Sequence, residues 1–147
     1  MKLKSLLLIS GLLISTVTFA QEEKKQLDNI GNQDNNQAEF KFDKEEFNFG
    51  TIKQGESVTT DFSFTNVGNE PLIITNAEGS CGCTVPIFPK EPILKNQTSK
   101  IKVTFNSTGK FGIQDKTVTI TSNAVQSPMV LHIKGTVEKP AVESQKN

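Results

Sequence analysis

Apolar and polar residues alternate with a period of two through most of residues 39–138. In Val58–Thr65, for example, Phe62 and Phe64 share one parity and polar residues occupy the other. Successive side chains of an extended strand point to opposite faces, so this pattern predicts strands with one buried face. Turn-forming Gly, Pro and Asn interrupt the pattern about every ten residues, a spacing typical of sandwiches. We therefore predict an all-β, immunoglobulin-like two-sheet sandwich of about seven strands.

The expected strands have alternating or continuous apolar character and are bounded by turn formers. They centre on Phe40–Phe42, Phe47–Phe49, Val58–Phe64, Leu72–Thr75, Ile101–Phe105, Thr117–Thr121 and Met129–Ile133.

Three of the six prolines fall in Pro86–Ile93. Proline donates no hydrogen bond to a ladder, so this segment cannot be a central strand. We expect a stiff connection that crosses from one sheet to the other. Ile87 and Phe88 are expected to close the end of the core, and an exposed binding patch is the alternative.

The first twenty residues have the pattern of a secretory signal peptide. Lys2 and Lys4 form a positive start, Leu6–Val17 is apolar or small, and Thr18 and Ala20 supply small residues for cleavage. The apolar run is shorter than the roughly 20 residues that cross a bilayer. We expect cleavage near Ala20 and export to the periplasm or the cell surface, with no transmembrane segment in the mature chain; the alternative is an uncleaved signal anchor.

Composition divides the remaining chain and limits its partners. Residues 21–38 are polar and predict a flexible leader, residues 39–138 form the domain, and residues 139–147 predict a disordered tail. All 16 basic residues of the chain are Lys, and the mature chain would carry 14 of them against 16 acidic residues, a net charge of −2. Nucleic acid is therefore not an expected partner, because phosphate neutralisation needs a basic face.

The two cysteines, Cys81 and Cys83, flank Gly82, and Ser80 and Thr84 frame the pair. Residues i and i+2 of a strand share a face, so both sulfurs are presented together. Gly82 has the backbone freedom to bring them to disulfide distance. Such a bridge closes almost no loop and therefore stabilises the fold only slightly through chain entropy.

Three interpretations of the cysteine pair remain open. The pair oxidises after export and stiffens a surface loop; it is a labile, reducible couple; or two thiolates bind a soft ion such as Cu(I) or Zn(II). A closed zinc site needs four ligands, and the only histidine, His132, is predicted to face outward on a strand. No motif frames His132 in a catalytic triad, so we predict neither an enzyme nor a cofactor.

A series of short motifs resembles the exported bacterial family called domain of unknown function 1573. In order, they are Phe47–Ile52, Gly55, Phe62–Gly68, Pro71–Ile74, Ser80–Thr84, Val103–Phe105, Gly109, Gly112, Thr121–Asn123 and Ile133–Gly135. That family is similar to the ASH/Hydin-type immunoglobulin-like domains. The resemblance implies a seven-stranded sandwich and no established activity, and related domains are mostly binding or scaffolding modules.

Two functions follow as expectations. The first is an exported, non-enzymatic immunoglobulin-like binding or structural module of the bacterial cell envelope, with another envelope protein as partner. Strand addition at an exposed edge around Glu39–Asp43 is the expected docking mode. The alternative is a thiol redox or soft-metal (copper or zinc) accessory protein that acts through Cys81 and Cys83.

Overall fold

The computed structural model describes residues 36–139, and they form a two-sheet β-sandwich. The predicted fold class is confirmed, although the strands number eight rather than seven. The strands are β1 (Phe40–Phe42), β2 (Glu46–Lys53), β3 (Ser57–Asn66), β4 (Ile74–Gly79), β5 (Thr84–Ile87), β6 (Thr98–Asn106), β7 (Gly112–Ser122) and β8 (Met129–Glu138).

Each sheet contains four strands. The first has the order β1-β3-β6-β5, and the second has the order β2-β8-β7-β4. All ladders are antiparallel except that of β2 with β8, which is parallel and has a bulge between Asn48 and Thr51. The edges of the two sheets are therefore β1, β5, β2 and β4.

The core lies between the sheets and is built from the alternate strand positions that the sequence predicted to be buried. Phe62, Phe64 and Phe105 are fully buried, while their neighbours on the other parity contact solvent. Phe40 packs edge-on against Phe64 at 5.1 Å between ring centroids, and Phe49 stacks on Phe105 at 5.5 Å. Aromatic rings bury large areas, and these contacts join strands within and between the sheets.

A buried amide holds three loops beside this core. Asn66 is 0% exposed, and its Nδ2 donates to the carbonyl oxygens of Glu70 and Ile93 at 2.8 and 2.9 Å. Its Oδ1 accepts from the backbone N–H groups of Gly68 and Glu39 at 3.0 and 3.3 Å. Both donors and both lone pairs of the side chain are used, which satisfies the rule for buried polar groups.

The eighth strand lies in the proline-rich segment, so the expected crossing connection there is wrong. β5 pairs with β6, with Pro86 opposite Val103. The Asn106 N–H donates to the Cys83 carbonyl at 2.8 Å. Backbone groups alternate in direction along a strand, so Pro86 turns its nitrogen away from β6. A proline on an edge strand costs no ladder bond when its nitrogen faces outward.

Ile87 and Phe88 differ from each other in their environments. Phe88 packs against the core, as expected, whereas Ile87 is 64% exposed on the outer face of β5.

Two other element boundaries differ from expectation. Leu72 precedes β4 and forms a bridge with Ile93 instead of starting a strand. Among the described residues, the first hydrogen bond to the sandwich is made by Gln37, whose carbonyl accepts from the Asn69 N–H at 2.9 Å, and Ala38 is 1% exposed. The expected signal peptide, residues 21–35 of the leader and the tail from residue 140 lie outside the described residues.

Candidate functional site

The cysteine pair forms the turn that carries the chain from one sheet to the other. β4 ends at Gly79 on the edge of the second sheet, and β5 begins at Thr84 on the edge of the first. Between them Cys81 and Cys83 are joined by a disulfide with their Cα atoms 5.2 Å apart. The sequence placed the two sulfurs on one side of the chain, and the structure brings them together.

Backbone hydrogen bonds attach both ends of this turn to the sandwich. The Ser80 N–H donates to the Thr117 carbonyl at 2.8 Å, and the Thr117 N–H donates back to Ser80 Oγ at 3.1 Å. Across the turn, the Thr84 N–H donates to the Cys81 carbonyl at 3.0 Å. The framing residues Ser80 and Thr84 therefore fix the disulfide relative to both sheets.

Gly79 brings the two chain segments into backbone contact. A Cβ built on Gly79 would overlap the carbonyl oxygen of Thr84. Any other residue would therefore push β4 away from β5, because backbone atoms cannot rotate out of the way. Gly82, by contrast, has open space around the same position.

The Thr84 side chain is directed at the disulfide from inside the fold. Thr84 is 3% exposed, and its Oγ1 lies 3.7 Å from Cys81 Sγ and 3.8 Å from Cys83 Sγ. The sequence marked Thr84 only as a residue framing the pair. The hydroxyl points inward because Thr84 occupies an inward-facing position of β5. The sequence did not predict this orientation, because the prolines argued against a strand there.

The two sulfur-bearing residues have different surroundings. An open groove with a volume of about 390 Å³ runs along the turn and the adjoining ends of β4 and β5. Its lining is Ala77, Glu78, Gly79, Cys81, Gly82, Thr84, Val85 and Pro86. Cys81 thus lines the groove, whereas Cys83 packs against the hydrophobic core.

His132 lies on the outer face of β8, as predicted, and pairs with a carboxylate there. Its Nδ1 is 2.9 Å from Asp115 Oδ1. Within residues 36–139 no group of three or more His, Cys, Asp or Glu side chains is arranged to hold a metal ion. Cys81 and Cys83 would be metal ligands only as reduced thiolates, because a disulfide lacks thiolate donors.

Charged residues surround a second groove on the outer face of the second sheet. Lys134 Nζ is 2.5 Å from Glu46 Oε2 and 3.9 Å from Asp115 Oδ2. The hydrogen bond to Glu46 raises the pKa of Lys134 above its ordinary value. The groove beside this network has a volume of about 490 Å³ and also contacts Ile113.

The edge around Glu39–Asp43 was expected to accept an added strand, and the structure shows that part of its backbone is occupied. β1 is an edge strand, but Gln126 Oε1 accepts from the Phe40 N–H and Gln126 Nε2 donates to the Phe40 carbonyl, both at 3.1 Å. The Val125 N–H also donates to the Ala38 carbonyl at 3.1 Å. No local sequence pattern around Gln126 predicts this contact, because Gln126 and Phe40 are 86 positions apart in the chain.

Apolar side chains are exposed beside the disulfide turn. Val85 and Ile87 are 54% and 64% exposed on the outer face of β5, opposite Thr104 and Lys102 of β6. They make a short apolar strip, which we call the β5 strip, at the border of an otherwise polar sheet face. Val85 and Ile87 are neighbours on one face of β5, which makes the β5 strip a candidate contact surface.

Two solved structures have similar folds. A protein of unknown function from Porphyromonas gingivalis W83 aligns with a TM-score of 0.58 and 15% identity, over 74% of this chain and 50% of that one. The chain therefore spans half the length of that relative. The ASH/PapD-like domain 7 of human CEP192 aligns with a TM-score of 0.51 and 11% identity, over 92% of this chain and 99% of that one. Both support the immunoglobulin-like fold.

No curated protein matches the chain significantly. The described residues also contain no helix of the length and apolarity that a membrane span requires.

A family model described as "Protein of unknown function (DUF1573)" matches residues 40–137, from the start of the first strand to the penultimate residue of the last. The match covers the whole sandwich, including the disulfide turn and its framing residues. The chain therefore belongs to the DUF1573 family.

Proposed function

We propose that this chain is an exported, non-enzymatic binding or structural module of the bacterial cell envelope. The signal-peptide pattern of residues 1–20 supports export. The disulfide between Cys81 and Cys83 supports it too, since disulfides persist mainly in oxidising compartments outside the cytosol.

The observation that carries the binding role is the β5 strip beside the fixed turn. Val85 and Ile87 are held on a strand that is paired to β6 and tied to the other sheet by the disulfide turn. A rigid apolar surface loses little conformational entropy on binding. Another envelope protein with an apolar contact surface is the proposed partner.

Export is tested by the intact mass of the protein isolated from its own compartment and alkylated without a reductant. We expect a chain that begins at Gln21 and carries no alkyl groups, because both cysteines are in the disulfide. A mass that retains Met1 would overturn export, and two alkylated thiols would overturn an oxidised pair.

Binding is tested by placing a photo-crosslinking amino acid at Ile87 in living cells and, as a control, at Thr59. Thr59 is also exposed on the outer face of the first sheet, but it lies on β3, with β6 between it and the strip. We expect discrete adducts with one envelope protein from position 87 and none from position 59. Equal labelling at both positions, or no adduct at position 87, would contradict a docking role for the strip.

A second candidate function is a thiol redox accessory, and the position of Cys81 in the open groove favours it. Under this proposal Cys81 and Cys83 alternate between disulfide and dithiol, and the reduced pair is the form that would offer thiolates to copper or zinc.

A further inference from the structure

Both cysteines are partly exposed, but the groove beside the turn contacts them unequally. The groove along the turn contacts Cys81, whereas Cys83 packs against the core. A nucleophile that enters through the groove therefore meets Cys81. In thiol–disulfide exchange the rate depends on which sulfur is attacked and on how well the other sulfur leaves.

The Thr84 hydroxyl lies within reach of both sulfurs. It is buried, and the two sulfurs are the contacts that its oxygen makes, at 3.7 and 3.8 Å. A disulfide sulfur is a weak acceptor, whereas a thiolate accepts a charge-assisted hydrogen bond of much greater strength. The same O–H group therefore stabilises a thiolate on either sulfur more than it stabilises the intact disulfide, and attack from the groove leaves that charge on Cys83.

The groove also discriminates between classes of thiol. Glu78 contributes a carboxylate to the lining, and Val85 contributes an exposed apolar side chain next to Thr84. An anionic small thiol such as glutathione would be repelled by the carboxylate. A cysteine flanked by apolar residues in an extended polypeptide fits the lining better.

We propose that the turn is a thiol–disulfide exchange site for polypeptide thiols, with Cys81 as the sulfur attacked and Cys83 as the leaving group; this rests on the redox candidate above. The substrate thiolate forms a bond to Cys81 Sγ, the bond between the two protein sulfurs breaks, and its electron pair stays on Cys83 Sγ as a thiolate. A second polypeptide thiolate then attacks the substrate sulfur of the mixed disulfide, a bond forms between the two substrate sulfurs, and the electron pair of the broken bond stays on Cys81 Sγ. The two protons lost by the substrate thiols protonate Cys81 and Cys83. The protein disulfide is reduced to two thiols, and the two substrate thiols are oxidised to one disulfide.

The attacked sulfur is identified on the full chain without substitutions. The oxidised protein is mixed with a capped, uncharged tripeptide that has cysteine between two valines, quenched in acid at short times, and fragmented in a mass spectrometer. We expect the peptide adduct on Cys81. Adducts divided equally between Cys81 and Cys83, or found on Cys83, would overturn the proposed direction of attack.

The role of Thr84 is tested with Thr84→Val and the conservative Thr84→Ser, with Thr104→Val as the matched control. Thr104 is an outward-facing threonine on β6 that contacts Thr59 at 2.9 Å. Loss of a charge-assisted hydrogen bond predicts that Thr84→Val reacts with the tripeptide about tenfold more slowly. The pKa of the Cys83 thiol in the reduced protein should also rise, while Thr84→Ser and Thr104→Val react at the wild-type rate.

A wild-type rate for Thr84→Val would overturn the role of its hydroxyl. If Thr84→Val fails to fold by circular dichroism, Thr84→Ala removes the same hydroxyl with a smaller side chain, and its Cys83 titration is compared with that of the wild type. A raised Cys83 pKa in Thr84→Ala supports the hydroxyl, and an unchanged one overturns it.

The substrate class is tested by comparing the tripeptide with reduced glutathione on the wild type and on Glu78→Gln. We expect the wild type to react at least several-fold faster with the tripeptide than with glutathione. Glu78→Gln should narrow this difference in rate, because it accelerates the reaction with glutathione. Faster reaction with glutathione on the wild type would overturn the polypeptide preference.

Reduction by dithiothreitol tests whether the disulfide is a redox couple at all, separately from whether it exchanges with polypeptide thiols. If dithiothreitol reduces the folded protein but the tripeptide forms no adduct, the exchange site is overturned and the redox couple stands. If dithiothreitol leaves the disulfide intact in the folded protein, both are overturned.

Discussion

Asn66 is the side chain on which three loops depend, because it bonds four backbone groups while fully buried. Asn66→Ala would leave several buried donors and acceptors without partners. We expect it to lower the free energy of unfolding by about 3 kcal/mol, measured by urea denaturation. Asn48→Ala is the control, because Asn48 is exposed and makes one local bond, to the Gly50 N–H at 2.8 Å. Equal losses in the two variants would contradict the importance of the buried amide.

Gly79 is the second position where one atom decides the packing, because a Cβ there overlaps the Thr84 carbonyl. We expect Gly79→Ala to cost about 2 kcal/mol, the scale of an overpacked site that relaxes by shifting backbone. Gly82→Ala, in the same turn but with open space, should change stability by less than about 0.5 kcal/mol. Thermal unfolding of both variants measures the difference, and a neutral Gly79→Ala would show that β4 and β5 separate freely.

At the residue scale, the sequence predicted that the two sulfurs lie together but not how the neighbouring residues pack around them. The spacing of Cys81 and Cys83 was enough to place both sulfurs on one side of the chain. The contact of Gly79 with Thr84, and the inward hydroxyl of Thr84, depend on how closely two sheets approach. That distance is a tertiary quantity, and no local pattern encodes it.

At the scale of elements, β1 is an edge strand, and one side chain covers the free side of its first residue. The Gln126 amide bonds both the N–H and the carbonyl of Phe40, as a neighbouring strand would. Edges are commonly protected against unwanted pairing, and this amide serves that purpose without adding a strand.

Gln126→Ala should therefore loosen β1 without unfolding the domain. We expect the Phe40 amide to exchange with solvent at least tenfold faster, because its hydrogen bond is lost while β3 still pairs with the other side of β1. Hydrogen exchange measured by NMR reports this, and the Phe105 amide in the central strand β6 is the internal reference. Unchanged protection at Phe40 would show that the Gln126 amide is not what covers the edge.

Strand positions with clear alternation, such as β3 and β6, were predictable because packing follows side-chain parity. β5 was not, since Pro86 argues against a strand until its nitrogen is known to face the free edge. The position of an edge within a sheet depends on topology, and one sequence does not reveal it.

At the scale of the whole molecule, two surface ion pairs stabilise the fold over different pH ranges. The hydrogen bond from Lys100 lowers the pKa of Asp61, so this pair stabilises the fold above the unfolded pKa and is lost as pH falls through the folded value. The pKa of Lys134 is raised, chiefly by its hydrogen bond to Glu46. That contribution is complete below the unfolded pKa and is lost as pH rises through the folded value.

The Asp61 pair gives a direct test by NMR titration. Lys100→Met should raise the pKa of Asp61 toward its ordinary value, because it removes the strongest interaction that lowers it. Lys41→Met, which removes an exposed lysine that does not contact Asp61, should leave the titration unchanged. A titration of Asp61 that is indifferent to Lys100 would contradict the pairing at 2.7 Å.

The parallel pairing of β2 with β8 has a consequence for how the chain acquires its structure. Glu46 near the start of the domain pairs with His132 near its end, so the contact order of this sheet is high. β2 has no strand to join until β8 has been synthesised. A chain that emerges N-terminus first can pair the strands of the first sheet before β8 arrives. The phenylalanine-rich inner face of that sheet then lacks the complete second sheet and is meanwhile exposed to aggregation and to chaperones.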